Sequence, residues 1–145
     1  MLKNIGAVVA GYIVMFVLVF VTFSAAYLAM GAEGAFKTGS YEVTALWLAV
    51  SFVLSFIAAL GGGFVCAAIA KNPKATLALA GLVLVLGLLL AIPVLTSQDN
   101  GAPQIRDSSV GNLQAMQYAK QPAWVAVLNP ILGAVGVMLG ARLKK

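Results

Sequence analysis

The stretch LGGGFVCAAIAKNPK, residues Leu60–Lys74, marks the place where one long apolar helix ends and another begins. Asn72 is a favoured N-cap residue, and Pro73 suits the first position of a helix because its missing N–H costs no hydrogen bond there. Lys71 and Lys74 flank this pair and keep the turn in water. The sequence therefore predicts a tight turn between two antiparallel helices.

The turn also sets an expected register between these two helices. Residues that are equally far from the turn lie at the same height, which places the glycines at 61–63 opposite residues 81–84. Gly81 stands in that second range. We therefore expect glycine to meet glycine across the pair and the two backbones to approach closely.

The composition is that of a membrane protein. Of the 145 residues, 62% are hydrophobic and 9% are charged, whereas charged residues make up about a quarter of an average soluble protein. The chain has no histidine, so the usual axial ligand of haem and the commonest zinc ligand are missing. We therefore expect no metal site and no cofactor.

Four apolar runs are long enough to cross a bilayer, which takes about 20 residues. They predict an all-α polytopic membrane protein with a single membrane domain, residues 1–145. The first run is longer than the apolar core of a signal peptide, so we expect an uncleaved span. The predicted spans are 5–30, 44–70, 75–95 and 123–141, with loops at 31–43 and 96–122 and a turn at 71–74.

The second long loop is expected to contain a short helix, because a structureless connection of about 26 residues is uncommon in a compact domain. Apolar residues recur at helical spacing from Val110 to Met116. Ser108 or Ser109 would cap such a helix. We predict an interfacial helix over 109–120 that lies on the membrane or on a partner.

The charged residues set the expected orientation. Most basic residues fall on the side shared by both termini and the central turn; they are Lys3, Lys71, Lys74, Arg142, Lys144 and Lys145. The acidic residues all fall on the other side; they are Glu33, Glu42, Asp99 and Asp107. By the positive-inside rule we expect both termini in the cytoplasm. The basic face is expected to meet anionic lipid headgroups rather than nucleic acid.

Three large aromatic residues fall near the outer boundary of the predicted spans. They are Tyr27, Trp47 and Trp124. Such side chains are enriched at membrane–water interfaces, where one part of the ring is in lipid and the other in water. We expect them to form part of an aromatic belt.

Small or weakly polar residues form one face on the second span and one on the fourth, at steps of three and four residues. They are Ser51, Ser55, Ala58, Gly62 and Cys66 on the second span, and Asn129, Gly133, Gly136 and Gly140 on the fourth. Such faces are typical of close helix packing or of a partner interface. For Asn129 we expect an interhelical hydrogen bond or compensation for the break that Pro130 makes in the helix; the alternative is that it holds a quinone, a lipid headgroup or a substrate carbonyl.

The sequence predicts no catalytic site. No Asp, Glu, Lys, Arg or His lies inside a predicted span, although such residues mark proton relays and ion paths. The absence of histidine also excludes Ser–His and Cys–His catalysis, and no phosphate-binding glycine loop is present. We expect a protein that is not an enzyme.

Two segments carry a resemblance to known proteins: GGGFVCAAIAK at 61–71, and LNPILG at 128–133 together with GAR at 140–142. With its four spans, the chain resembles small uncharacterised membrane proteins of bacteria. The resemblance implies the bacterial cytoplasmic (inner) membrane as the location, with no particular activity.

Three functions remain open from the sequence. The favoured one is a non-catalytic accessory or structural subunit of a larger membrane complex, because two small-residue faces exceed what one bundle needs for its own packing. Its partners would be other membrane subunits, copies of itself, and membrane lipids. The second is a small oligomeric channel or facilitator lined by Ser51, Ser55 and Asn129. The third is a membrane enzyme or a lipid- or quinone-binding protein that uses Asn129, Tyr12 or Trp124, which would require an apolar pocket with converging polar groups.

Overall fold

The computed structural model describes residues 1–96, 105 and 110–144, most of which lie in helices. The helices are α1 (Leu2–Ala35), α2 (Ala45–Ala70), α3 (Pro73–Thr96), α4 (Asn112–Tyr118) and α5 (Ala123–Arg142). All except α4 are long and apolar enough to cross a membrane. The prediction of an all-helical protein with four candidate spans is confirmed, and these helices are those of a multi-pass membrane protein.

The turn between α2 and α3 is built from the residues that the sequence singles out. Lys71 takes a left-handed conformation with a φ of 53° and ends α2. The Oδ1 of Asn72 then accepts a hydrogen bond from the backbone N–H of Lys74, 3.0 Å away, which caps the start of α3. Two residues therefore separate one long helix from the next.

The first helix is longer than predicted. The sequence places its end at residue 30 and a loop at 31–43, whereas α1 runs on to Ala35. Gly31 interrupts it with a φ of 69° and a ψ of 172°, so the last residues form a short helical segment after a kink. The predicted loop was wrong in this part, because a glycine at positive φ redirects the helix here instead of ending it.

The segment before α5 contains a short helix, as the spacing of its apolar residues predicts. This helix is α4. Gly111 stands at its N-cap position. The alternative caps, Ser108 and Ser109, lie outside the described residues. The location of α4 at a membrane surface stays a prediction.

The second helix occupies the middle of the bundle and packs mainly against α1 and α5, while α3 packs mainly against α5. Within the described residues, no Cα atoms of α1 and α5 lie within 8 Å of each other. The expected meeting of the glycines at 61–63 with Gly81 is wrong, because a Cβ added at Gly81 would have no atom within 4 Å. The same glycines face Leu18 and Gly11 of α1 and Val137 of α5 instead.

The bundle has two chemically different ends. The end where α1 finishes and α2 begins, here named the aromatic end, holds a buried cluster in which Tyr27, Phe36, Tyr41 and Trp47 make edge contacts. The opposite end, here named the basic end, carries the start of α1, the α2–α3 turn and the end of α5.

The aromatic side chains therefore correct one expectation. Tyr27 is 6% exposed and Trp47 is 8% exposed, so both are core residues and not lipid-facing members of a belt. Tyr27 donates a buried hydrogen bond from its hydroxyl to the carbonyl of Val110, 2.7 Å away. Trp124 alone of the three is exposed, at 56%.

Candidate functional site

A cavity of about 470 Å³ lies between α1, α3 and α5, and one residue of α2 also lines it. Its volume falls within the range of about 300–1,000 Å³ that is typical of small-molecule sites. The wall is formed by Tyr12, Met15, Phe16, Val19 and Phe23 of α1, Ser55 of α2, Val83, Leu86, Gly87, Leu90 and Ala91 of α3, and Ala126, Asn129, Pro130 and Gly133 of α5.

The packing of the helices explains why the cavity forms. α3 and α5 approach closely where Gly87 meets Pro130: a Cβ on this glycine would lie 2.6 Å from the proline Cβ. They also approach where Gly133 meets Val83, with a corresponding distance of 2.9 Å to the valine Cγ1. Because α1 and α5 do not approach each other, the side of this pair that faces α1 stays open.

Asn129 is the polar centre of the cavity. Its Oδ1 is buried and accepts no hydrogen bond from any of the described residues. A buried acceptor that lacks a partner costs about 1–3 kcal/mol of folding free energy. The predicted role of Asn129 in an interhelical hydrogen bond is not seen at this atom.

The next residue adds a second acceptor. Pro130 has no N–H, so the carbonyl of Ala126, four residues earlier in α5, lacks its usual helical donor. Ala126 itself lines the cavity. Ala126 and Asn129, which carry these two acceptors, lie about one turn apart on α5, and both residues line the cavity.

Two hydroxyl groups from other helices complete the polar lining. Ser55 of α2 and Tyr12 of α1, each of which carries a hydroxyl, are lining residues of the cavity. Neither hydroxyl makes a hydrogen bond with another residue in the part of the chain that the structure describes. Both groups can donate as well as accept, so the cavity offers both kinds of hydrogen-bonding group inside an apolar wall.

The cavity lies well inside the apolar part of the bundle. Along α1 it extends from Tyr12 to Phe23, which corresponds to about 16 Å of helix. No charged residue belongs to its lining. On the side of the basic end, Leu79 is fully buried and sits against Gly11, so α1 and α3 close the space there.

The remaining residues of the predicted faces lie elsewhere. Ser51, Ala58 and Cys66 are buried, and the Oγ of Ser51 donates to the carbonyl of Leu48 at 2.9 Å. Gly62 lies against Gly11 of α1, Gly136 against Ala59 of α2, and Gly140 against Leu60 of α2. Both small-residue faces are thus occupied by helices of the same chain, so they supply no argument for a further subunit.

The sequence predicts helix packing for Ser55, Asn129 and Gly133, and offers a channel lining for Ser55 and Asn129 and ligand binding for Asn129 as alternatives; the structure places all three residues in the lining of this cavity. Tyr12 and Asn129 were named together as residues of a binding protein, and the structure brings them to one cavity. Trp124 is not a lining residue; its ring makes a tilted contact with the ring of Phe52, with the two centroids 6.0 Å apart. Pro130 was the signal in the sequence for an additional polar group here, because a proline leaves the carbonyl four residues earlier in the helix, that of Ala126, without its usual donor.

The polar residues that line this cavity carry no charge. No cluster of three or more metal-ligating side chains occurs among the described residues. Hydroxyl, amide and carbonyl groups without a neighbouring base or cation can position a molecule through hydrogen bonds. Comparison with protein-family models, curated proteins and solved structures finds no match to this chain.

Proposed function

We propose that this protein binds an apolar molecule that carries a hydroxyl group, within the membrane, in the cavity between α1, α3 and α5. The observation that carries the proposal is Asn129, a residue that lines a cavity of about 470 Å³ and whose buried Oδ1 has no hydrogen-bond partner among the described residues. This combination of an apolar wall with a few convergent polar groups is typical of ligand sites.

The polar groups limit the class of ligand. The Oδ1 of Asn129 and the Ala126 carbonyl are acceptors, so the ligand must bring a donor. The hydroxyls of Ser55 and Tyr12 can donate to an oxygen of the ligand. A lipid alcohol or a quinol satisfies both requirements through its hydroxyl, whereas an oxidised quinone has no donor for Asn129. A charged ligand would be disfavoured because no charged residue lines the cavity.

The channel alternative receives less support from the packing. The lining is mostly apolar, and the buried Leu79 fills the bundle between the cavity and the basic end. The accessory-subunit hypothesis stays a prediction, although the small-residue faces on which it was based are used inside the chain.

The experiment is extraction of the bound molecule. The full chain is purified in mild detergent, extracted with organic solvent, and the extract is compared by mass spectrometry with that of empty micelles. We expect one hydroxyl-bearing apolar compound at a fixed ratio to protein. Asn129→Leu should retain less of it by about 5- to 150-fold, which corresponds to about 1–3 kcal/mol for an unpartnered ligand donor.

A cavity-filling pair provides the matched control. Ala126→Phe places a ring in the cavity and should abolish retention. Val135→Phe makes a comparable change on the exposed face of the same helix, where the residue is 38% exposed, and should retain the compound fully. An extract identical to that of empty micelles, or equal loss in both phenylalanine variants, would refute the proposal.

A further inference from the structure

A second cavity, of about 600 Å³, lies at the basic end between the α2–α3 turn and the end of α5. Lys71 and Asn72 contribute to it from the turn, and Arg142 and Lys144 contribute from the end of α5. The elements that carry these residues are separate in sequence and meet only through the packing of α5 against α2 and α3.

The cations around this cavity have no anionic partner among the described residues. The described carboxylates are Glu33 and Glu42, and both belong to the aromatic end. Lys71 and Arg142 therefore form no ion pair within the described chain. The Nζ of Lys144 donates to the carbonyl of Ala68 at 3.1 Å, which holds its positive charge at the rim and leaves further N–H donors.

This cavity has a polar part and an apolar part, as a lipid has a polar headgroup and apolar acyl chains. The Oδ1 of Asn72 already accepts from Lys74, so its Nδ2 group is the part left to donate to a ligand. Leu77 and Met138 line the same cavity and are 66% and 42% exposed. They stand one turn or more inside α3 and α5, on the apolar side of the cations.

We propose that this cavity binds the phosphate group of an anionic phospholipid, with Arg142, Lys71 and Lys144 around the phosphate and Leu77 and Met138 along an acyl chain. Positive side chains at the ends of apolar helices lie at the level of lipid headgroups. A free phosphate would use the cations but would leave the apolar wall without a contact. The site is separate from the cavity around Asn129, and the proposal does not depend on the function proposed there.

The test is native mass spectrometry of the full chain in mild detergent. Dioleoylphosphatidylglycerol, dioleoylphosphatidylcholine and inorganic phosphate are titrated separately. We expect the anionic lipid to bind, and Arg142→Gln and Lys144→Gln each to weaken it by about fivefold, the effect of one basic residue near a lipid surface. Arg142→Lys should keep most of the affinity because it keeps the charge.

Lys3→Gln is the matched control, since it removes one charge from the basic end outside the cavity. It should leave binding unchanged, and circular dichroism should show the same helix content in all variants. Equal weakening by Lys3→Gln would show a general surface charge and overturn the site. Equal affinity for the phosphatidylcholine, or binding of inorganic phosphate as tight as that of the anionic lipid, would likewise overturn the phospholipid assignment.

Discussion

The close approach of α2 and α5 at Gly63 offers a sharp test of the fold through Gly63→Ala. A Cβ on Gly63 would meet the carbonyl oxygen of Val137 and would lie 2.7 Å from its carbonyl carbon and 2.8 Å from its Cα. Ordinary contacts of a Cβ begin at 3.4 Å. Because the obstructing atoms are backbone, no change of rotamer relieves the clash, and the two helices must move apart.

The magnitude follows from a comparison with Gly81→Ala. A Cβ at Gly81 meets nothing within 4 Å, so that variant gains only the helix propensity of alanine, up to about 1 kcal/mol. Gly63→Ala gains the same term and adds the cost of overpacking, about 1–3 kcal/mol. The difference between the two variants isolates that cost, and we expect it in the upper half of the range because helices, not side chains, must shift.

The assay is unfolding of both variants in mixed micelles with increasing SDS, followed by circular dichroism. Gly140→Ala should resemble Gly63→Ala, because its Cβ would meet the backbone of Leu60 in the same α2–α5 interface. The double variant Gly63→Ala/Gly140→Ala should cost less than the sum, since one separation of the helices relieves both clashes. Equal stability of Gly63→Ala and Gly81→Ala would refute the close approach.

Three further predictions concern the aromatic end. Tyr27→Phe removes the buried hydrogen bond to the Val110 carbonyl and should lower the free energy of unfolding by about 1–3 kcal/mol, measured by the same SDS titration. The hydrogen bond from Lys37 holds the pKa of the Glu42 carboxyl below its ordinary value of 4.5, so the folded state gains stability above that pH and loses it as the pH falls through the lower, folded-state pKa. Glu42→Gln should remove this small dependence of thermal stability on acid pH. Gly31→Ala places a side chain at a φ of 69° and a ψ of 172°, a conformation that is essentially restricted to glycine, and should cost about 1–3 kcal/mol in thermal unfolding.

Each of these predictions has a control within the chain. Tyr12→Phe should leave stability unchanged, because this hydroxyl has no hydrogen-bonding partner among the described residues. Lys37→Gln should change the acid dependence as Glu42→Gln does, and an unaltered profile in both would contradict the ion pair. Gly6→Ala tests the strain argument, because Gly6 also has an open surrounding but no positive φ; destabilisation equal to that of Gly31→Ala would count against it.

The helices themselves were predictable because their causes are local. Runs of apolar residues longer than a bilayer requires specify spans wherever they occur. Asn72 and Pro73 specify a cap and a first turn through atoms of their own neighbours. Gly31 was harder to interpret, since a glycine after an apolar run is compatible with a helix end and with a kink, and the choice depends on what the following residues contact.

The partners of each helix could not be predicted from these patterns. A short turn makes α2 and α3 adjacent at one end, yet the faces of Gly62 and Gly63 turn to α1 and α5. Helical spacing shows which residues share a face, but not which neighbour covers it. The burial of Tyr27 and Trp47 has the same origin, because it depends on residues 36–44 and α4 folding over them.

The sequence by itself determined that the chain forms apolar helices, where the α2–α3 turn lies, and that Asn129 stands beside a proline in one of those helices. Only the tertiary structure decided that Asn129, Ser55 and Tyr12 face one cavity, and that Lys71 and Arg142 border another. The physical reason is the separation along the sequence over which each interaction acts. Hydrogen bonds within a helix and transfer of apolar residues into lipid depend on residues that are neighbours in the sequence. A cavity exists only where helices distant in sequence fail to close against each other.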